Sequence, residues 1–232
     1  MSGKSNHETG ILTVITQNIY FFIKASFFFM LTTLPAIIWL IVFERSLVDL
    51  VFVFLFGPTI AAMCRFMIAY IETDFEVDDY PEFSNYLTCY KINFKESLMF
   101  WSPYCLFIFI LLTNIQAYEW TTAMIGSAVN GIFILAIAFS TLVVSYFFVI
   151  SAKYKFNLSS LFRLSVLYLF TSIKSTLGML AVLFLVWVVA LLFNELIVFL
   201  LSGPIIYSVV RYAYPILKDV DENFIDHKKE GK

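Results

Sequence analysis

Long apolar runs alternate with short polar segments along almost the whole chain. A helix that crosses a bilayer needs about 20 mostly apolar residues, because it must satisfy its own backbone hydrogen bonds in hydrocarbon. Six segments meet this requirement, at about residues 19–43, 49–71, 97–117, 124–151, 175–193 and 195–216. The pattern therefore predicts an all-α, polytopic transmembrane bundle of six helices, formed by one domain spanning residues 19–216.

The polar breaks set the predicted limits of these helices. Residues 1–18 and 217–232 are polar tails, and residues 44–46 separate the first two helices. The apolar stretch from 176 to 216 is too long for one span, and Asn194 with Glu195 supplies the polar break near its middle. Aromatic residues flank helix three, with Trp101 and Tyr104 towards one end, as residues at a membrane interface often do.

Two further segments mix apolar and polar residues. Residues 156–173 carry Arg163 centrally and several serines, while residues 82–95 carry Asn85, Lys91 and Asn93. Such patterns favour amphipathic helices at the cytoplasmic surface, before helices three and five. The alternative for residues 156–173 is a seventh span.

The basic residues predict the orientation of the bundle, because cytoplasmic flanks are enriched in lysine and arginine. With both termini inside, Arg45 alone lies outside. The others lie at or towards the cytoplasm: Lys4, Lys24, Arg65, Lys91, Lys95, Lys153, Lys155, Arg163, Lys174, Arg211, Lys218, Lys228, Lys229 and Lys232. This bias requires an even number of spans and favours six over five.

Composition agrees with a membrane protein. Hydrophobic residues make up 61% of the chain and charged residues 14%, against about 45–50% and 25% in soluble domains. The net charge of -2 is too small to attract a nucleic acid. The expected surroundings are the lipid bilayer, as a multi-pass protein of the cell membrane, with no nucleic-acid partner.

Helices two and six contain the same ungapped pattern. A carboxylate stands eight residues before a Gly-Pro pair, and an arginine follows the glycine by eight. Four spans separate the copies, so both run from outside to inside as a parallel repeat. The candidate structural or functional residues are Asp49, Gly57, Pro58, Arg65, Glu195, Gly203, Pro204 and Arg211.

Two interpretations of this repeat are open. Gly-Pro within a helix permits a kink or a close helix approach, which favours a packing role. In transporters the same break exposes polar backbone to a cavity. The two acids likewise either complement the helix dipole or bind a solute.

No catalytic, cofactor or metal site is indicated. His7 and His227 lie in polar tails, and Cys64, Cys89 and Cys105 form no C-x-x-C motif. The acidic residues between 72 and 82 lack the glycine and terminal glutamate of an EF-hand loop. No H-E-x-x-H or G-x-S-x-G motif occurs, so we expect a protein that is not an enzyme.

Several short motifs carry a family resemblance. They are Leu34-Pro35-Ala36, Gly57-Pro58, residues 79–101, the run from Tyr146-Phe147 to Lys174 with Leu177, Gly203-Pro204 and Tyr214-Pro215. With these motifs the chain resembles the YesL-like family, bacterial integral membrane proteins of unknown function. The resemblance implies an accessory membrane protein, found chiefly in Gram-positive bacteria and often associated with ABC-type uptake systems for oligosaccharides.

Two functions follow as expectations. The first is a non-enzymatic partner of an ABC-type transporter, whose permease or ATPase subunits the amphipathic segments would contact. The alternative is a stand-alone small-solute transporter in which the duplicated acid, Gly-Pro and arginine helices line a pathway. No charged residue falls near the middle of a predicted span, which disfavours an ion relay.

Overall fold

A computed structural model describes residues 11–42, 53–73, 83–118, 123–193 and 195–225. Every regular element in these residues is helical, as the sequence predicts. The helices are α1 (Ile11–Val42), α2 (Phe56–Glu72), α3 (Phe83–Tyr118), α4 (Ala123–Lys153), α5 (Leu158–Thr171), α6 (Ile173–Leu192), α7 (Glu195–Leu200) and α8 (Ser202–Val220). A π-helical turn, Asp221–Ile225, follows α8.

Four helices in the described residues are long and apolar enough to cross a membrane. They are Ile15–Trp39, Phe83–Ala117, Gly126–Lys153 and Ile173–Leu192. These four correspond to predicted helices one, three, four and five. Predicted helices two and six correspond to α2 and to the α7–α8 pair, each of which has a break at its Gly-Pro pair.

The exposed surface of the bundle is strongly apolar. On α1, Ile15, Ile19, Ile23 and Phe27 follow one another at helical spacing and are all about half exposed or more, while Ala25 on the opposite side is buried. Helix α6 exposes a larger set of apolar side chains: Leu177, Phe184, Leu185, Trp187, Leu191 and Leu192. Stripes of this extent are typical of lipid-facing helices and identify a membrane-embedded protein.

Helix α2 lies at the centre of the bundle and contacts α1, α3, α4 and α8. Most of its residues are buried, including Ala61, Ala62 and Met63, which have no exposed surface. Small residues let helix backbones approach closely in a membrane, where apolar surface alone gives little driving force for association. The small side chains of α2 therefore suit its central place.

Helix α3 differs from the prediction. Residues 82–95 were predicted as a separate interfacial helix and residues 97–117 as a span, but α3 is continuous from Phe83 to Tyr118. No glycine or proline occurs between residues 83 and 102 to interrupt it. Consequently Trp101 and Tyr104 lie near the middle of α3. Their place at a membrane interface stays a prediction.

Helix α5 is separate from its neighbours and short. Its 14 residues give a length of about 21 Å, less than the hydrocarbon thickness of about 30 Å. It buries Leu161, Leu164 and Tyr168 and packs mainly on α4, while Arg163 is exposed. This agrees with an amphipathic helix better than with a seventh span.

The helical structure extends beyond the predicted limits at both ends. Helix α1 begins at Ile11 rather than near residue 19. Helix α8 continues to Val220, past the predicted boundary at 216, because Leu217 and Val220 are fully buried in the core. The turn after α8 contacts the bundle through Asp221, which pairs with Lys153 of α4, while Glu222, Asn223 and Phe224 are exposed.

Candidate functional site

The two Gly-Pro pairs lie at the same kind of helix break. Residues 53–54 are helical, a turn follows at Leu55, and α2 then starts with Pro58 as its third residue. Similarly, α7 ends at Leu200, a turn follows at Leu201, and α8 starts with Pro204 in third place. Proline has no N–H to donate to the carbonyl four residues earlier, which explains a break at both positions.

Gly57 is a point of close helix packing. A Cβ atom at this position would lie 2.6 Å from both Cβ and Cγ of Trp101 on α3. The indole N–H of Trp101 donates to the carbonyl oxygen of Val53 at 2.9 Å, immediately before the break. Trp101, which packs on Gly57, thus also provides a hydrogen bond to the carbonyl oxygen of Val53 beside the break.

Gly203 is a second point of close packing, against a different helix. Its N–H donates to the hydroxyl oxygen of Ser26 on α1 at 3.0 Å. A Cβ atom at position 203 would lie 2.9 Å from the backbone carbonyl oxygen of Phe22. Both glycines of the repeat therefore allow a neighbouring helix to approach closely. Gly57 makes room for the Trp101 side chain of α3, and Gly203 makes room for the backbone of α1.

A cavity of about 280 Å³ lies between the two copies of the repeat. Ile60 of α2 and Ile206 of α8, which occupy equivalent positions after the two Gly-Pro pairs, both line it. Trp101 and Tyr104 of α3 form another part of its wall. The repeat thus places two equivalent segments beside one cavity.

The cavity wall is almost entirely apolar. Its described lining residues include no aspartate, glutamate, lysine, arginine or histidine. The hydroxyl groups of Tyr104 and Thr141 bond to each other at 2.9 Å. Ser202, only 6% exposed, has a buried hydroxyl oxygen with no hydrogen-bond partner. Such a wall suits an uncharged apolar ligand.

The two arginines of the repeat do not line this cavity. Arg65 is half-buried and Arg211 is exposed, and neither forms an ion pair with another described residue. Asp49 falls outside the described residues. Glu195 is the first residue of α7, and only its backbone is described.

A polar cluster, missed in the sequence, joins the C-terminal ends of three helices. Lys153 at the end of α4 pairs with Glu72 at the end of α2, 2.9 Å away, and with Asp221 after α8, 3.0 Å away. Lys155 pairs with Glu96 of α3 at 2.8 Å. The only sequence signal was that these charges flank predicted spans, which does not specify partners.

Two tyrosines extend this cluster. The hydroxyl of Tyr154 donates to the carbonyl oxygen of Leu217 at 2.8 Å, and that of Tyr168 donates to Asp219 Oδ2 at 2.6 Å. Burial raises the pKa of Tyr168, and the bond to the Asp219 carboxylate raises it further. Both tyrosines therefore stay neutral and act as hydrogen-bond donors.

Cofactor chemistry has no assembled ligand set in the described residues. No group of three or more histidine, cysteine, aspartate or glutamate side chains there is suited to hold a metal ion. Cys64, Cys89 and Cys105 are free thiols, with Cys64 and Cys105 buried. This arrangement agrees with packed thiols rather than a disulfide framework.

Comparison with known proteins adds one family. Residues 14–115 match the model of DUF624, a family described as proteins of unknown function. The matched segment contains the first Gly-Pro pair and Trp101, whereas the second pair lies beyond it. No curated protein and no solved structure matches the chain.

Proposed function

We propose that the protein crosses the cell membrane six times, with both termini in the cytoplasm. The helical segments around the two Gly-Pro pairs provide the fifth and sixth spans beyond the four long apolar helices. The contacts of Lys153 with Glu72 and Asp221 support this arrangement, because α2, α4 and α8 then all run in one direction and end together.

Cysteine labelling tests this topology. In a protein with Cys64, Cys89 and Cys105 replaced by alanine, Ser46→Cys and Lys229→Cys are introduced separately. A membrane-impermeant maleimide should label position 46 in intact cells and position 229 only after permeabilisation. Labelling of position 229 in intact cells would refute the proposed orientation.

We further propose that the protein is a non-enzymatic accessory subunit of an ABC-type transport system for oligosaccharides. The family resemblance suggests the partner class. The observation that favours a partner role over transport is the cavity wall, since an oligosaccharide needs many hydrogen-bonding groups and this wall has few. Transport is therefore assigned to the partner permease.

The contact surface in this proposal is the exposed side of helix α5. Phe162, Leu167 and Phe170 on α5 are each about half exposed or more, beside the exposed Arg163. An apolar patch with a polar rim is typical of protein interfaces. The polar cluster behind α5 holds it against α8 through Tyr168 and Asp219.

Photo-crosslinking in the source bacterium tests the partner. A photoreactive amino acid is placed at Phe162 or Leu167, with Leu191 on the exposed side of α6 as the control position. We expect a permease or ATPase subunit of an ABC system, identified by mass spectrometry, to crosslink from α5 and not from Leu191. Deletion of the gene should also reduce oligosaccharide uptake. Normal uptake together with crosslinks to this chain alone contradicts the proposal.

The alternative, a stand-alone small-solute transporter, keeps one supporting observation. Equivalent residues of the two repeat copies, Ile60 and Ile206, line the same cavity. Uptake by proteoliposomes containing only this protein would support this function if Asp49→Ala combined with Glu195→Ala abolished it. Uptake that survives the double substitution, or no uptake at all, removes this version.

A further inference from the structure

We propose that the cavity between the two Gly-Pro copies is a binding site for a single-chain, uncharged amphiphile whose polar head bonds to Ser202. The ligand class is an alkyl or similarly apolar chain with one hydroxyl or carbonyl group. This site is a property of the chain alone and does not depend on the proposed transporter partner.

Ser202 lacks the intrahelical hydrogen bond that serines and threonines in these helices commonly form. Other serines and threonines in these helices donate to the carbonyl oxygen four residues earlier, as Ser208 does to Pro204 at 2.8 Å and Ser145 does to Thr141 at 2.8 Å. For Ser202 the corresponding residue is Val198, on the other side of the turn at Leu201. Ser202 is therefore left with a hydroxyl group in the cavity wall that no described residue satisfies.

A buried hydroxyl in an apolar setting favours a ligand that supplies its missing bond. The group costs free energy when unpaired, and inside a bilayer no bulk water is available to pair with it. The equivalent residue in the first copy is Phe56, so the second copy alone offers a hydroxyl at this place. Ser202 thus gives the site a single polar anchor.

The wall excludes a charged head group. The described lining residues include no aspartate, glutamate, lysine, arginine or histidine. An ion taken from water into such surroundings has no opposite charge to offset its desolvation. The head group is therefore a neutral hydroxyl or carbonyl.

The size of the cavity favours one chain. Its volume of about 280 Å³ lies just below the range of roughly 300–1,000 Å³ for small-molecule sites. It is larger than the apolar cavity of about 150 Å³ that accepts benzene in an engineered protein. A two-chain phospholipid exceeds it, whereas a single chain with a small head fits.

A second apolar space lies beside the cavity. A groove of about 430 Å³ lies between α3 and α4, lined by Phe107, Phe139 and Phe162 among others. Tyr104 and Val144 belong to the walls of both spaces. The two spaces therefore share part of their walls.

Tryptophan fluorescence offers a direct test, because Trp101 forms part of the cavity wall. The probes are 11-bromoundecan-1-ol and 1-bromoundecane, whose bromine quenches a tryptophan that it contacts. The protein carries Trp39→Phe, Trp120→Phe and Trp187→Phe, so that Trp101 alone is fluorescent. A matched protein keeps only Trp187, which is 58% exposed on α6.

We expect saturable quenching of Trp101 and a non-saturable rise in quenching of Trp187, which reports bulk partitioning. Ser202→Ala should weaken binding of the bromo-alcohol by about fivefold relative to binding of the bromo-alkane, because one net hydrogen bond is lost. The ratio of the two binding affinities, alcohol over alkane, is compared between the protein with Ser202 and the Ser202→Ala protein. This comparison cancels the different partitioning of the two probes into the detergent or bilayer. An unchanged ratio overturns the role of Ser202.

Cavity filling provides an independent variant. Ile206→Phe should remove the saturable component, whereas Leu200→Phe, at an exposed position nearby, should preserve it. Non-saturable quenching of Trp101 in the unmodified cavity overturns the site itself. Saturable quenching by brominated phosphatidylcholine with the strength of the alcohol would instead assign the cavity to ordinary bilayer lipid, and the single-chain proposal would be wrong.

Discussion

Trp101 packs directly on Gly57, and its indole N–H donates to the carbonyl oxygen of Val53 at 2.9 Å. A Cβ atom at position 57 would stand 2.6 Å from the tryptophan Cβ, so the ring occupies this place only because residue 57 has no side chain. The same indole lines the cavity. One side chain thus connects the helix break, the packing of α2 on α3, and the candidate binding site.

This relationship predicts different effects for two substitutions at position 101. Trp101→Phe keeps an aromatic ring but loses the bond to Val53, and should lower the free energy of unfolding by about 1 kcal/mol. Trp101→Ala also leaves a void against Gly57, and should cost about 3–5 kcal/mol. Thermal unfolding in detergent, followed by size-exclusion chromatography, measures both.

The control for these variants is Trp187→Phe, since Trp187 is mostly exposed on α6. It should leave the unfolding temperature unchanged. Equal stability of the Trp101→Ala and Trp101→Phe proteins would show that the ring does not fill the space above Gly57.

The glycines of the bundle should respond to alanine in opposite directions. Gly203→Ala places a methyl group 2.9 Å from the Phe22 carbonyl oxygen, and rigid backbone cannot yield cheaply, so we expect a loss of about 1–3 kcal/mol. At Gly131 of α4 nothing lies within 4 Å of the added Cβ. Gly131→Ala should therefore be neutral or stabilising by up to about 1 kcal/mol.

Unfolding of the two purified variants under identical detergent conditions makes this comparison. Similar shifts for Gly203→Ala and Gly131→Ala would contradict close packing of α8 on α1. A loss confined to Gly203→Ala supports the packing interpretation of the Gly-Pro pair.

Much of the fold was predictable because membrane helices follow simple rules of length and polarity. The apolar runs predicted both ends of α4 and α6 and the C-terminal end of α1 closely, whereas α1 begins at Ile11, well before the predicted start. The Gly-Pro pairs were recognised as interruptions. Their close packing was one of the two interpretations left open. Proline explains these breaks locally, so no tertiary information was required.

The errors arose where tertiary contacts decide the structure. Residues 82–95 were assigned to an interfacial helix because Asn85, Lys91 and Asn93 are interspersed among apolar residues. They instead form the first part of α3, where Lys155 contacts Asn93. The cavity was also beyond prediction, because Ile60, Trp101 and Ser202 converge only through helix packing. The sequence does not show whether the hydroxyl of a serine such as Ser202 has a hydrogen-bond partner.

The three-helix contact at Lys153 predicts an unequal effect for two nearby lysines. Lys153→Met removes two ion pairs and leaves Glu72 and Asp221 without their partner, so it should cost about 1–2 kcal/mol. Lys155→Met removes one pair with Glu96 at a half-exposed position and should cost less than about 1 kcal/mol. Thermal unfolding at low and high salt measures the difference.

Limited proteolysis adds a local readout for Lys153. Its contact with Asp221 holds the π-helical turn Asp221–Ile225 to the bundle, so Lys153→Met should speed cleavage after Lys218, whereas Lys155→Met should not. Identical cleavage rates in both variants would show that the turn is held by apolar packing alone.

The bond between Tyr168 and Asp219 predicts a loss of stability at alkaline pH. Tyr168 has a pKa raised above the usual value of about 10, so the folded protein keeps a proton that the unfolded chain releases. Its contribution is complete below about pH 10 and decreases as pH rises further. Tyr168→Phe should be less stable near pH 8 yet show a weaker pH dependence between about pH 10 and 11.

Circular dichroism during thermal unfolding measures both effects, with Phe170→Leu on the exposed side of α5 as the control. A Tyr168→Phe protein whose stability falls as steeply as that of the unmodified protein would assign the alkaline loss to other groups, Tyr154 first among them because burial also raises its pKa.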